Sequence, residues 1–150
     1  MRIVALYGTE SGRAEDVARG VSAALAGPGT EIDVIDMADA TTDVFAPDAL
    51  YLIACATHGG GELPGFAQFL HDDLADLSPD LTGVQYAVFG LGDTSYREKY
   101  NRGARQFDAL LTSLGAQRVG PFGEHDEISR QDHVAVGVAW AREVLAGRAS

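Results

Sequence analysis

The sequence predicts an α/β fold in which a doubly wound, five-stranded parallel sheet carries helices on both faces. Three observations lead there. Short apolar runs alternate with segments of helical apolar spacing along the whole chain. The runs from Leu50 to Ala56 and from Val84 to Leu91 are nearly continuous in apolar residues, as strands covered on both sides require. The 150 residues, 46% of them hydrophobic, suit one domain spanning 1–150 with a core of its own. Such strands return by right-handed crossovers, and their ligands bind beyond the carboxyl ends where the strand order reverses.

Taken in order, Ile3-Val4-Ala5-Leu6 makes the first strand, and Ala14, Val17, Ala18, Val21 and Leu25 mark one face of the first helix. Gly27-Pro28-Gly29 stops that helix, because proline cannot continue it and glycine tolerates the conformation that ends it. Ile32, Val34 and Ile35 form a short second strand, and Leu50 to Ala56 forms the third. Phe66, Phe69, Leu70, Leu74 and Leu77 recur at helical spacing and are expected to be the core face of a second helix. Val84 to Leu91 is the fourth strand. The helix after it turns Ala104, Phe107, Leu110, Leu111 and Leu114 inward and ends at Gly115. Arg118 to Phe122 makes the fifth strand, and Ile128, Val134, Val138, Ala141 and Leu145, with Trp140, line a last helix. No repeat, low-complexity segment or linker interrupts the pattern.

The segment Tyr7-Gly8-Thr9-Glu10-Ser11-Gly12-Arg13-Ala14-Glu15 joins the first strand to the first helix. Backbone N–H groups at a helix start lack internal partners and the helix dipole adds positive potential, so a loop of hydroxyls and glycines there makes an anion site. No lysine follows Gly12, which excludes a Walker loop, and the spaced glycines of a dinucleotide fingerprint are missing. What remains suits one phosphate group, as a mononucleotide presents it. The alternative is that Thr9 or Ser11 only caps the helix while Glu15 and Asp16 favour its first turn. Two more loops at the same sheet end are rich in glycine: Thr57-His58-Gly59-Gly60-Gly61-Glu62-Leu63-Pro64 and Gly90-Leu91-Gly92-Asp93-Thr94-Ser95-Tyr96. Their glycines permit close approach of backbone to a ligand, and His58 and Tyr96 offer flat faces on either side of a planar ring.

A formal net charge of −11 argues against binding DNA or RNA through phosphate contacts. It suits a basic protein partner met by steered encounters, although acidic surfaces also keep proteins in solution. The single Cys55 excludes a disulfide framework and a multi-cysteine zinc site, and its apolar surroundings mark it as a core residue. Met1-Arg2-Ile3 enters a strand at once and no run approaches a membrane span, so the expectation is a soluble, cytoplasmic protein without a signal peptide. No metal site, catalytic nucleophile or acid–base pair is expected.

The motifs Tyr-Gly-Thr-Glu-Ser-Gly-x-Ala-Glu, Thr-His-Gly-Gly-Gly-Glu-Leu-Pro and Val-Phe-Gly-Leu-Gly-Asp-Thr-Ser-Tyr, in that order, resemble the flavodoxin superfamily. The chain is most similar to its short-chain branch, to the FMN domains of diflavin reductases (sulfite reductase flavoprotein, cytochrome P450 reductase) and to the stand-alone flavodoxin MioC. The resemblance extends through Leu114-Gly115-Ala116-Gln117-Arg118 and the acidic segment from Gly123 to Glu127. It implies strand order 2-1-3-4-5 with FMN at the switch point, for which the family is itself the standard example.

Carried over residue by residue, the resemblance implies that Thr9, Glu10, Ser11, Gly12, Arg13 and Ala14 hold the FMN phosphate. Thr57, His58, Gly59 and Gly61 would face one side of the isoalloxazine. Gly90, Gly92, Asp93 and a stacking Tyr96 would line the other, with Tyr100 and Asn101 at a spacing like that of the bacterial fused P450 reductase. Asp126 would sit near the flavin rim. Two positions depart from the family. Arg13 stands where a threonine is frequent and is expected to compensate by pairing with the phosphate. His58 stands where several reductases have tyrosine, which would make the flavin potential depend on pH. The implied function is that of a redox carrier rather than an enzyme, taking electrons from a separate NAD(P)H-dependent flavin reductase and passing them to a redox enzyme docked on its acidic surface, with no nucleic acid or membrane partner. The alternatives are an FMN-dependent NAD(P)H quinone or nitro reductase on the same fold, a flavin-free interaction module, and a domain detached from a former fusion.

Overall fold

The computed structural model describes residues 1–9, 11–57, 63–95 and 100–149. Strands β1 (Arg2–Gly8), β2 (Glu31–Asp36), β3 (Leu50–Ala56), β4 (Gln85–Gly92), β5 (Gln117–Arg118) and β6 (Gly123–Asp126) are interspersed with helices α1 (Arg13–Leu25), α2 (Gly65–Leu77), α3 (Arg102–Ser113) and α4 (His133–Ala149). Only 3-10 turns join β2 to β3, and no helix separates β5 from β6. The sheet is parallel, in the order β2-β1-β3-β4-β5, with β6 also pairing with β4. The predicted doubly wound architecture is therefore present, and the order reverses between β1 and β3.

Because side chains alternate along a strand, each central strand feeds two cores at once. Val4 and Leu6 of β1, Tyr51, Ile53 and Cys55 of β3 and Tyr86 and Val88 of β4 face one side, where Ala67, Leu70 and Leu74 of α2 and Ala104, Phe107 and Leu111 of α3 cover them. Ile3, Ala5, Leu52, Ala54, Ala87 and Phe89 face the other, under Ala14, Val17 and Val21 of α1 and Trp140, Ala141 and Val144 of α4. This two-sided burial is why β3 reads as an unbroken apolar run. Cys55 is fully buried, and burial pushes its thiol up to about 12, so it is an inert core side chain.

Three expectations are corrected. The fifth strand does not run from Arg118 to Phe122. Gly120 takes a positive φ of 73° and Pro121 has no N–H to give, so the pairing breaks after the Val119 N–H bond to the Tyr86 carbonyl and resumes as β6. Ile128 belongs to a 3-10 turn before α4 and is 55% exposed, rather than lining the last helix. In α2 only Leu70 and Leu74 of the expected stripe are buried, joined by Ala67, while Phe66, Phe69 and Leu77 are 61%, 65% and 68% exposed. Among the described residues no helix is long and apolar enough to cross a membrane, and no group of His, Cys, Asp or Glu side chains could hold a metal ion.

Candidate functional site

The carboxyl ends of β1, β3, β4 and β6 converge, and each contributes residues expected from the sequence. After β1 the chain enters α1 through Gly12, which takes φ +89° and, as the N-cap, has no side chain to cap the helix. The Thr9 hydroxyl accepts from the Gly12 N–H at 2.8 Å, one residue before the helix begins. It therefore pins the loop and leaves the N–H groups of the first turn without a side-chain cap from Gly12 or Thr9. A Cβ on Gly12 would meet no described residue within 4 Å, so among the described residues this helix start is open. Ser11 is exposed at the mouth of the cup, and the Ala14 methyl is buried in the core, leaving that residue only its backbone to offer. The base of the loop is tight: a Cβ on Gly8 would lie 2.8 Å from both Ala67 Cβ and Met37 Sδ.

Arg13 points across to the end of β6. Its guanidinium donates to Glu127 Oε2 at 3.3 Å and lies 2.6 Å from His125 Nδ1. His125 is buried, and its Nε2 lies 2.7 Å from the Gln131 carbonyl. The tautomer with its proton on Nε2 satisfies both ends, donating to Gln131 and accepting from Arg13. His133 beside it reaches Asp16 of α1 at 3.0 Å. The first turn of α1 is thus tied to β6 and to the start of α4 through two histidines that no sequence motif singled out. Alternation along β6 turns His125 inward between Glu124 and Asp126, a signal hidden while the segment reads as an acidic loop.

Thr57 leaves β3 with its N–H on the Leu91 carbonyl at 3.1 Å, and its hydroxyl accepts from the Gly103 N–H at 3.1 Å, capping α3. At the end of β4, Gly90 and Gly92 form a slot filled by Asn101. A Cβ on Gly92 would lie 2.5 Å from Asn101 Oδ1, and one on Gly90 would lie 2.9 Å from its Cγ. Asn101 is 0% exposed, adopts φ +53° as the N-cap of α3, and among the described residues neither Oδ1 nor Nδ2 makes a well-formed hydrogen bond. Tyr100 packs beside Gly92. Burial, reinforced by the Glu124 and Asp126 carboxylates, pushes its phenol up to about 12, against a polar contact with the Asn101 side chain that falls short of a well-formed hydrogen bond, so it stays a neutral hydroxyl.

Asp93 turns back to accept from the Ser95 N–H at 2.8 Å. Asp126 closes the loop after β4. Its Oδ1 takes the Thr94 N–H at 3.0 Å and the Ile128 N–H at 3.1 Å, and its Oδ2 takes the Thr94 hydroxyl at 2.6 Å. The Thr94 hydroxyl, then the backbone N–H groups, hold the Asp126 carboxyl below the usual carboxylate value. The charged form is favoured by folding, so the clasp stabilises fully above about pH 4, the unfolded value, and is lost as pH falls through the lowered one. Asp126→Asn is accordingly expected to lower the urea midpoint at pH 7 and to converge with wild type below about pH 4. A gap that stays constant from pH 7 to pH 3 would show that the carboxylate charge is not what holds the loop. Glu10, His58, Gly59, Gly61 and Tyr96, also expected at the site, lie outside the described residues.

The family model described as Flavodoxin matches residues 6–137. Over 144 residues the chain is 31% identical to the sulfite reductase [NADPH] flavoprotein alpha-component of Shewanella sp. (strain MR-7), covering 95% of this chain and 23% of that one. Over 130 residues it is 35% identical to the NADPH–cytochrome P450 reductase of Sus scrofa, covering 83% and 19%. The chain thus spans about a quarter or less of the length of these relatives. Among solved structures, a cysteine-to-alanine mutant of flavodoxin from Pseudomonas aeruginosa superposes with a TM-score of 0.84 at 31% identity, covering 99% of both chains. With the switch-point topology, the open start of α1 and the glycine slot around Asn101, these matches establish that the chain belongs to the flavodoxin family.

Proposed function

We propose that this FMN-binding electron-transfer protein works in the cytoplasm as a carrier, receiving electrons from a separate NAD(P)H-dependent flavin reductase and delivering them to a redox enzyme. The residues present fit the cofactor. The uncapped first turn of α1, open at Gly12, suits a phosphate dianion, which the Arg13 and Ala14 N–H groups and the Thr9 and Ser11 hydroxyls would hold together with Glu10. The Thr9 oxygen accepts from Gly12, which leaves its hydroxyl hydrogen to donate. Arg13 adds positive charge at the rim while Glu127 and His125 orient it. Thr57, His58, Gly59 and Gly61 would face one side of the ring, and Gly90, Gly92, Asp93, Tyr96, Tyr100 and Asn101 the other, with Asp126 fixing the loop between them.

FMN, once bound, supplies one-electron chemistry; the chain binds it, orients it and sets the surrounding charge. The observation that carries this reading is the buried Asn101 amide, which among the described residues makes no well-formed hydrogen bond, set in a glycine slot at the carboxyl edge of β4. A desolvated donor and acceptor of that kind call for a polar ligand. The acidic character of the chain, net −11, supports docking of basic faces of both donor and acceptor. The test is the visible spectrum of the purified protein, with its ligand released and weighed. Yellow protein yielding FMN is expected, and a colourless chain that takes up no FMN would overturn the assignment. Rapid NADPH oxidation in the presence of a quinone by the isolated chain would instead place it among the quinone or nitro reductases.

A further inference from the structure

The exposed face of α2 belongs to neither hydrophobic core. Phe66 and Phe69 project from it in edge-to-face contact, ring centroids 6.2 Å apart at 66°, and Leu77 is exposed at the far end of the helix. Asp72, Asp73 and Asp76 are exposed in the turns that follow the two rings, and the helix contains no lysine or arginine. Its first turn abuts the site: Ala67, between the two phenylalanines in sequence, is the residue against which a Cβ on Gly8 would collide. An aromatic pair left in water beside a functional loop is an unusual use of apolar area on a monomer, and aromatic residues of this kind anchor interfaces.

We propose that Phe66 and Phe69 are the apolar anchor of a docking surface for the redox partner, whose matching face is an apolar cleft bordered by lysines and arginines that meet Asp72, Asp73 and Asp76. The proposal rests on the carrier function above and names the chemistry of its partner. Charge decides between occupants. A second copy would set the same three carboxylates, and a chain of net charge −11, against themselves. An anionic membrane surface would be repelled for the same reason. A basic face gains both burial of the rings and complementary potential, which raises the encounter rate and fixes orientation.

The test uses the FMN-loaded full chain, chemically reduced, with cytochrome c as the probe: a basic haem protein whose haem edge is ringed by lysines. Reduction is followed by stopped flow over a range of salt concentrations, and reoxidation by a small neutral quinone serves as the control. Phe66→Ser/Phe69→Ser should raise the half-saturating cytochrome c concentration about tenfold or more, with flavin spectrum and quinone rate unchanged. Asp72→Asn/Asp73→Asn/Asp76→Asn should slow association and flatten the salt dependence. An FMN-loaded double serine variant that reduces cytochrome c like wild type overturns the docking surface while leaving the carrier function standing. A wild-type dimer that the double serine variant dissociates also overturns it, by making a second copy the occupant. A wild-type chain that takes up no FMN removes the function itself, and the docking surface with it.

Discussion

Gly92→Ala should lower both the stability of the protein and its affinity for FMN. The new methyl would sit 2.5 Å from Asn101 Oδ1, 3.0 Å from Tyr100 Cδ1 and 3.1 Å from the Asn101 backbone nitrogen. The first two atoms belong to side chains. The third is backbone at the start of α3 and moves only if the helix moves. Gly90 closes the other escape, since the Asn101 side chain already lies against it. Overpacking of this kind costs about 1–3 kcal/mol, which at this chain length lowers the melting temperature by roughly 2–12 °C. FMN affinity should fall about tenfold or more, because the displaced residues are those proposed to line the ring; tenfold is about 1.4 kcal/mol. Thermal melts of the apoprotein and fluorescence titration with FMN read the two effects separately. Gly27→Ala is the control, because a Cβ there meets nothing within 4 Å and the backbone is not in the left-handed region; it should stay within about 0.5 kcal/mol of wild type. A Gly92→Ala variant that matches this control in both measurements would mean the slot has more room than its geometry indicates.

What could be seen in the sequence follows from which physical signals are local. β3 was legible to the residue, because burial on both faces leaves no polar position in Leu50–Cys55 to blur it. The end of α1 at Leu25 was legible from the glycines and proline that follow. The α2 stripe misled because periodicity reports that a face is apolar and not what covers it. The buried line is Ala67, Leu70 and Leu74, whose small first member gives little signal, while the larger Phe66 and Phe69 lie outside it. The broken fifth strand had a usable warning in Pro121, which cannot give a ladder hydrogen bond.

The site divides along the same line. Glycine-rich loops at strand ends single out Gly12, Gly90 and Gly92, and the structure sets all three at the carboxyl end of the sheet. The burial of Asn101 was not legible from its own chemistry, since asparagine usually lies at the surface. It depends on a left-handed backbone and on two glycines about ten residues earlier, a contact that exists only after β4 and α3 pack. The His125 bridge to Arg13 joins positions 112 apart in the chain. No local pattern encodes such a pair.

Asn101→Leu should separate folding from binding. Leucine matches asparagine in the number and branching of its side-chain heavy atoms, though its methyls are bulkier, and it removes a buried donor and acceptor that lack well-formed hydrogen bonds among the described residues. Each such group left unpaired costs about 1–3 kcal/mol. Against that gain of about 2–6 kcal/mol for the two groups, leucine in the left-handed conformation that Asn101 adopts, φ +53°, costs about 1–2 kcal/mol. Its bulkier methyls in so tight a slot cost about 1–3 kcal/mol more. Gain and costs nearly cancel, so the apoprotein should melt within a few degrees of wild type, roughly 1 kcal/mol in either direction. Binding has no such compensation. If the amide is held unpaired for the cofactor, its loss should weaken FMN binding about tenfold to a hundredfold, or about 1.4–2.8 kcal/mol. A structural asparagine gives the opposite signature: an apoprotein destabilised by more than about 3 kcal/mol, as when a buried hydrogen-bond network is broken, with affinity falling only as far as the fold does. Denaturant unfolding of the apoprotein and FMN titration of the same preparation decide between them. Stability retained with affinity lost is the result that identifies Asn101 as a group the fold keeps desolvated for its ligand.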